Sequence, residues 1–167
     1  MDLYIVRHAI AFDRDAVRWP DDAKRPLTEK GVEKFRKTAR GCRALIGAID
    51  RTWSSPYVRA WDTARLLEEE AGWPAPIPCD PLTPDGTPGG VLDFLRAQAP
   101  RGSVAVVGHE PMLHELISLF ATGHPGGLLI EVKKGGVARL TFPRSIQAGH
   151  GILRWHAAPK LLRGISG

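Results

Sequence analysis

Cysteine is scarce in this sequence and follows no reactive spacing. The 167 residues include only two cysteines, Cys42 and Cys79, which lie far apart and form no Cys-x-x-Cys pair. Cys42 falls on the apolar stripe of a predicted helix, and Cys79 falls in a strand-like piece. We therefore expect both to be small buried hydrophobic residues, and two thiols without a signal peptide indicate a reducing compartment.

Long apolar runs are also absent. No stretch approaches the ~20 apolar residues that a membrane helix needs. The N-terminus, with Asp2 and then Arg7, lacks the pattern of a signal peptide. The length and a composition of 43% hydrophobic and 25% charged residues suit one core. We expect a single domain over residues 1–167, located in the cytoplasm and not at a membrane.

Several common catalytic signatures are missing. The chain has no Gly-x-Ser-x-Gly elbow, no Walker A loop and no Gly-x-Gly-x-x-Gly, which argues against serine hydrolase, P-loop and dinucleotide-binding functions. The segment from His109 to His114 approaches the zinc-protease motif but has one residue too many, and Pro111 starts a helix between the two histidines. We expect no metal and no other cofactor.

The charge balance gives little sign of nucleic-acid binding. The net charge is +5, aromatic residues make up 7% of the chain, and the basic residues are spread through helices instead of forming one block. Nucleic-acid binding needs a basic stripe interleaved with exposed aromatics. We assign most of these cations to solvated helix faces and the remainder to attraction of anionic substrates. Nothing in the sequence demands more than a monomer.

Strand and helix patterns alternate along the chain, which predicts an α/β fold with a mainly parallel sheet. Helices are predicted at residues 28–49, 56–71, 88–99 and 111–121. Strands are predicted at residues 3–6, 52–53 and 104–107, with two late and antiparallel strands at 137–142 and 151–156. The architecture expected is a three-layer α/β/α sandwich.

Polar residues follow two of the buried strands directly. The apolar run at residues 3–6 ends in Arg7 and His8, and the run at residues 104–107 is followed by Gly108 and His109. The carboxyl ends of parallel strands are where open α/β sheets bind their ligands. The two histidines and Arg7 are therefore expected at one ligand site.

A third strand end adds a second arginine. Ser55 is placed to cap a helix that begins with Pro56, which puts Arg59 in its first turns. Two arginines and two histidines suit a transferring phosphoryl group, whose charge is spread over its oxygens. A histidine can also attack phosphorus and carry the group covalently, with no metal required.

The chain resembles the histidine phosphatase (phosphoglycerate mutase-like) superfamily, and within it the small phosphohistidine phosphatases of the SixA type. The motifs occur in the family's order and span residues 3–113. They are Arg7-His8-Ala9, Arg25-Pro26-Leu27-Thr28 with Gly31, Ser54-Ser55-Pro56 with Arg59-Ala60 and Thr63-Ala64, and Val107-Gly108-His109-Glu110-Pro111.

The resemblance implies a role for each matching residue. His8 is the nucleophile that becomes phosphorylated, while Arg7, Arg59 and His109 form the phosphate pocket and stabilise the pentacoordinate phosphorus. An ordinary imidazole with a pKa of ~6.5 is mostly neutral at cytoplasmic pH, as attack requires, and the adjacent arginines keep it neutral. The resemblance also implies a phosphoglycerate mutase-like fold and a phosphorylated protein as partner, such as a histidine phosphotransfer domain.

Two further residues are less firmly assigned. Larger relatives place a carboxylate after the third strand as general acid, where this chain has Asp85 before Gly86. Asp85 is either that donor or a turn residue, and we favour the turn. Arg25, in the loop at residues 9–27, either reaches the substrate or pairs with a carboxylate of the same loop, and we favour the pairing.

The hypothesis favoured by the sequence is a metal-independent phosphohistidine phosphatase. A phosphoramidate nitrogen leaves more readily than an alkoxide, so a missing general acid is tolerable for that substrate, whereas an alkyl phosphate would forgo ~10²–10⁴-fold of catalysis. A small-molecule phosphomonoesterase of the same superfamily is the first alternative, and a functional Asp85 would support it. A phosphate-binding module without turnover is the second.

Overall fold

The structure is a six-stranded sheet with helices on both faces. The computed structural model describes residues 1–165. The strands are β1 (Asp2–Arg7), β2 (Arg51–Ser54), β3 (Ile77–Pro78), β4 (Ser103–Gly108), β5 (Val137–Thr141) and β6 (Ile152–Ala157). The helices are α1 (Glu29–Ile46), α2 (Val58–Ala71), α3 (Pro88–Gln98), α4 (Met112–Thr122) and α5 (Pro159–Ile165), with short 3₁₀ turns at Asp22–Lys24 and Asp80–Leu82.

The strand order is β3-β2-β4-β1-β5-β6. The first four strands run parallel, β5 is antiparallel to β1, and β6 is antiparallel to β5. The prediction of a mainly parallel sheet with a late antiparallel pair is confirmed. This order places the carboxyl ends of β2, β4 and β1 side by side, where α/β sheets bind ligands.

Two apolar clusters cover the two faces of the sheet. In β1, Leu3 and Ile5 belong to the cluster under α3 and α4, whereas Tyr4 and Val6 belong to the cluster under α1, α2 and α5. This alternation follows from the two-residue period of a strand, and each of the four side chains is buried. The three-layer α/β/α architecture is therefore confirmed.

Helix ends account for the differences from the predicted boundaries. Thr28 caps α1 as its hydroxyl accepts the Gly31 N–H at 2.9 Å, but α1 ends at Ile46 because Gly47 has a φ of 78°. Leu45, in the last turn of α1, is 46% exposed. Helix α2 begins at Val58, two residues later than predicted, and has no side-chain cap.

The C-terminal helix α5 packs on α1. Leu162 is fully buried, and its carbonyl oxygen approaches Gly41 so closely that a Cβ there would lie 1.9 Å away. Because Gly41 has no side chain, α5 can pack closely against α1 at this point. Ser166 and Gly167 lie outside the described residues. Within residues 1–165, every helix is too short or too polar to cross a membrane.

Candidate active site

Three chain segments meet at the carboxyl edge of the sheet. The backbone N–H of His8 donates to the carbonyl of Gly108 at 3.0 Å, and the N–H of Ser55 donates to the carbonyl of Val107 at 2.9 Å. The segments that follow β1, β2 and β4 are thus linked by the sheet's own hydrogen-bond ladder. His8 and His109 lie on two of these segments, and their ring centroids are 5.1 Å apart.

A polar cavity of about 320 Å³ opens at this edge. Five of the six residues predicted for the site line it: Arg7, His8, Arg25, Arg59 and His109. The sixth, Asp85, does not. Phe12, Asp13 and Arg14 from the loop after β1 also contribute to the wall, as do Pro84, Glu110 and Lys134.

The ring of His8 is held in one tautomer. Its Nδ1 lies 2.7 Å from the carbonyl oxygen of Ala9. A carbonyl oxygen only accepts hydrogen bonds, so Nδ1 carries the proton and donates it. The proton-free atom of the neutral ring is then Nε2, whose lone pair is the nucleophilic electron pair.

The surroundings of His8 keep the ring neutral. Burial is the main reason that the pKa of His8 falls to about 3; the Ala9 hydrogen bond opposes this fall, and the positive charges of Arg59, Arg7 and Arg25 add to it. At neutral pH the imidazole therefore carries its lone pair. The sequence-based expectation of a neutral His8 agrees with this direction.

His109 is paired with a serine that the sequence had assigned elsewhere. Its Nε2 lies 2.9 Å from Oγ of Ser55, and that same Oγ accepts the N–H of Tyr57 at 3.3 Å. The hydroxyl can donate to Nε2 or accept from it, so this contact is made with the ring proton on either nitrogen. Nδ1 is buried and has no hydrogen-bond partner within residues 1–165.

The pKa of His109 is lowered for the same main reason as that of His8. Burial lowers its pKa to about 2, with further lowering from His8, Arg59 and Arg25 against a raising effect of Asp22. The ring is therefore neutral and suited to donate an N–H hydrogen bond. The predicted helix-capping role of Ser55 is wrong, because α2 starts later and the hydroxyl faces His109 instead.

Both predicted phosphate-binding arginines are anchored by backbone carbonyls. Nη1 of Arg7 donates to the carbonyl of Val132 at 2.8 Å, and Nη1 of Arg59 donates to the carbonyl of Asp22 at 2.9 Å. Arg59 is 2% exposed. In the described part of the chain, Nε of each guanidinium is buried and lacks a partner. Each side chain thus retains a donor that is unused by the protein.

The Asp22 carboxylate contacts both Arg25 and Arg59. Its Oδ1 accepts the Arg25 Nε–H at 2.8 Å, and its Oδ2 lies 3.0 Å from Nη2 of Arg59. Arg25 also donates to the carbonyl of Phe12 at 2.5 Å. Arg25 therefore makes the loop contact that the sequence favoured, while also lining the cavity. The link from Asp22 to Arg59 was missed, since nothing in the sequence connects that loop to α2.

Asp85 lies outside the catalytic cavity. It is exposed in the turn after the Asp80–Leu82 3₁₀ segment and lines a neighbouring cavity of about 340 Å³ with Trp19 and Tyr57. Arg14 and Pro84 line both cavities, so the two cavities adjoin. The placement is that of the turn residue that the sequence favoured.

Two other residues contribute to the site without having been predicted for it. The hydroxyl of Thr63 accepts the Ala9 N–H at 2.9 Å and donates to the carbonyl of Arg59 at 2.6 Å, which fixes the segment after His8 against α2. Glu110 lines the cavity, and its Oε2 lies 2.7 Å from Nδ1 of His114. Glu110 directly follows His109, and that adjacency was the available clue.

Metal ligands and thiols do not converge here. Among residues 1–165, no three His, Cys, Asp or Glu side chains are grouped so that they could hold a metal ion. Cys42 and Cys79 are both buried, and burial raises the pKa of each thiol to about 12. The expectation that they are buried hydrophobic residues is confirmed.

Comparisons with known proteins point to the same family as the sequence motifs. Residues 3–82 match the histidine phosphatase superfamily (branch 1). An uncharacterized protein of Picosynechococcus is 34% identical over 142 residues, which cover 84% of each chain. The phosphohistidine phosphatase SixA of Escherichia coli is 28% identical over 162 residues, covering 95% of this chain and 94% of SixA.

A solved structure of the protein histidine phosphatase SixA complexed with tungstate superposes with a TM-score of 0.83 at 28% identity, covering 97% of this chain and 99% of that one. The resemblance inferred from the motifs is therefore confirmed. The chain belongs to the histidine phosphatase superfamily and is similar to its SixA-type members, and the two findings together support a phosphatase.

Proposed function

We propose that this protein is a phosphohistidine phosphatase that works through a covalent phosphohistidine at His8. The observation that carries the proposal is the orientation of the His8 ring. Its Nδ1–H is held by the Ala9 carbonyl, which leaves the lone pair on Nε2 in a cavity that four arginines and His109 also line. A neutral, oriented imidazole in an electropositive cavity is suited to attack on phosphorus.

The arginines and His109 bind the phosphoryl group. The guanidinium groups of Arg7 and Arg59 and the ring of His109 line the cavity and supply N–H donors for its oxygens. Charge-assisted donors of this kind stabilise the charge spread over a pentacoordinate phosphorus. The SixA that was solved with tungstate binds a tetrahedral oxyanion of similar shape, which supports an oxyanion pocket here.

The reaction then has two displacements. Nε2 of His8 attacks phosphorus, forming a P–N bond while the P–N bond to the substrate imidazole breaks, and the leaving nitrogen takes the electron pair and a proton from solvent. Water next attacks phosphorus, the bond to Nε2 breaks, and inorganic phosphate leaves as the lone pair returns to His8. In the proposed mechanism the arginines and His109 provide the charge stabilisation, and neither step uses a metal.

The substrate class is proposed from the leaving group and from the relatives. Asp85, at the position where larger relatives carry a general acid, is exposed in a turn and does not line the cavity, whose carboxylates are Asp13 and Glu110. An imidazole leaves with less help. The similarity to SixA over 95% of the chain points to the same substrate, a phosphohistidine on a protein.

The experiment is phosphate release without added metal, measured for the wild type and His8→Ala. The substrates are a phosphohistidine peptide and a panel of small phosphomonoesters. Release from the peptide that is abolished by His8→Ala supports the proposal. A preference for a small ester would favour the phosphomonoesterase, and turnover of neither would leave a phosphate-binding module.

A further inference from the structure

We infer that a basic groove beside the catalytic cavity holds an acidic segment of the phosphorylated protein substrate. The groove lies between α1, α5 and the loop before β5, and has a volume of about 380 Å³. The inference rests on the proposed function, because it assumes that the phosphohistidine is carried by a polypeptide. It adds a second contact with that polypeptide, away from the reacting atoms.

The groove is continuous with the catalytic cavity. Arg7 and Lys134 line both. A polypeptide whose phosphohistidine enters the cavity therefore meets the groove within a few residues of the modified side chain. A small phosphomonoester held in the cavity does not reach along α1.

The charge of the groove is strongly positive. Lys34, Lys133, Lys134 and Arg163 line it, opposed by the single carboxylate of Glu131. Within residues 1–165, the three lysines make no ion pair. Their charges are therefore available to attract carboxylates, although each exposed contact is individually weak.

Two other cations of α1 are paired with a carboxylate of α2. Arg36 and Arg40 both pair with Glu70 of α2, at 2.6 Å and 2.8 Å. The same helix thus carries paired cations toward α2 and an unpaired lysine toward the groove. This contrast indicates that the positive charge of the groove is available to a partner.

The floor of the groove favours a polypeptide over a lone anion. Ile10, Phe35 and Pro159 line it with apolar surface between the basic side chains. An extended peptide with Asp or Glu side chains can cover this floor with its methylene groups while its carboxylates meet the lysines. Free phosphate has no apolar part to place there.

The test uses three peptides of equal length that carry a phosphoryl-triazole analogue of phosphohistidine, which is not hydrolysed. Their flanking residues are acidic, neutral or basic, and binding is followed by fluorescence anisotropy at low and moderate salt. The groove variant is Lys34→Glu/Lys133→Glu, which leaves every residue of the catalytic cavity in place. The matched control is Arg101→Glu/Arg144→Glu, an equal charge change at the opposite edge of the sheet.

We expect the wild type and the control to bind the acidic peptide about tenfold more tightly than the neutral one, with salt reducing the preference. The groove variant should lose this preference but hydrolyse free phosphohistidine at the wild-type rate. Equal binding of acidic and neutral peptides by the wild type, or an equal preference in the groove variant, would overturn the inference. Hydrolysis of a neutral phosphohistidine peptide by the wild type is measured separately; its absence would refute the proposed function, while the binding data still decide on the groove.

Discussion

Nη2 of Arg59 lies 3.0 Å from Oδ2 of Asp22, so the loop after β1 holds a guanidinium that belongs to α2. Asp22 also accepts a hydrogen bond from Arg25 at 2.8 Å. One carboxylate thus orients two of the four arginines that line the cavity, and it lies 3.8 Å from Nε of a third, Arg14. Positioning of this kind matters because phosphoryl transfer depends on placing charge where it develops.

Asp22→Asn should lower kcat/KM for a phosphohistidine peptide about tenfold, since the charge that aligns Arg25 and Arg59 is lost. Asp21→Asn is the matched control, as Asn still caps the following turn. Steady-state kinetics of the two variants on this peptide test whether Asp22 positions the arginines. Equal activity of both would show that Asp22 does not position the arginines.

The Asp22 contacts should also appear in the pH dependence of stability. Burial raises the pKa of Asp22, but the Arg25 hydrogen bond and the charges of Arg59, Arg25 and Arg14 outweigh this and hold the pKa below its ordinary value. The stabilisation is therefore present above the unfolded pKa of ~3.9 and lost as pH falls through the lower folded value. The stability gap between the wild type and Asp22→Asn should close on acidification below pH ~4.

The two buried histidines should give a second pH dependence of stability, at a higher pH than that of Asp22. The folded pKa values are about 3 for His8 and about 2 for His109, against ~6.5 for an unfolded histidine. Below pH ~6.5 the unfolded chain binds protons that the folded chain excludes, so the free energy of unfolding falls by up to about 1.4 kcal/mol per pH unit for each histidine.

Urea unfolding at pH 7, 6 and 5 measures this effect. His8→Asn should make the loss of stability toward pH 5 clearly smaller, whereas His150→Asn, which removes an exposed imidazole, should not. Parallel stability curves for the wild type and His8→Asn would mean that His8 is not buried in its neutral form.

Ser55→Ala should reduce kcat about tenfold. The substitution removes the hydroxyl that fixes the His109 ring at 2.9 Å and leaves a buried nitrogen without a partner. Ser54→Ala is the control, because the Ser54 hydroxyl is buried equally well but donates to the Ser55 carbonyl instead. The account is contradicted if Ser55→Ala turns over phosphohistidine at the wild-type rate.

Asp85→Asn should change kcat on phosphohistidine by less than about twofold, as expected for an exposed turn residue outside the cavity. A general acid would show a far larger loss, on the order of 10²-fold or more, and a pH-rate limb that vanishes in the variant. The pH-rate profiles of the wild type and the variant, measured on phosphohistidine and on an alkyl phosphate, separate these roles.

Gly41→Ala should destabilise the protein by about 1–3 kcal/mol, because its Cβ would lie 1.9 Å from the Leu162 carbonyl oxygen and force α5 away from α1. Gly89→Ala, where nothing lies within 4 Å, should leave stability unchanged or raise it by about 0.4–1 kcal/mol. Chemical denaturation of both variants provides the comparison, and similar values would refute the packing argument.

The sequence predicted the strand ends of the site well because their residues are adjacent to buried apolar runs. Arg7 and His8 follow residues 3–6 directly, and His109 follows β4, so local pattern alone places them at one edge of the sheet. The predicted end of the first helix at residue 49 was wrong, because Gly47, with a φ of 78°, ends α1 at Ile46.

Contacts between distant segments were not predictable in the same way. The pairs Asp22–Arg59 and Ser55–His109 join residues that are far apart in the chain, and each depends on the exact path of a loop. Ser55 followed by Pro56 has the pattern of a helix start. Because α2 begins only at Val58, the Ser55 hydroxyl does not cap the helix and contacts His109 instead. Tertiary packing decided both cases over local preference.

The most direct test of the account is whether a phosphoryl group becomes attached to His8. The wild type and His8→Asn are mixed with a radiolabelled phosphohistidine peptide, stopped in alkali within milliseconds, and digested for mapping. The account predicts an acid-labile, alkali-stable label on the wild-type peptide that contains His8, and none on the variant. Turnover by the wild type without such a label, or a label that persists in His8→Asn, would contradict it.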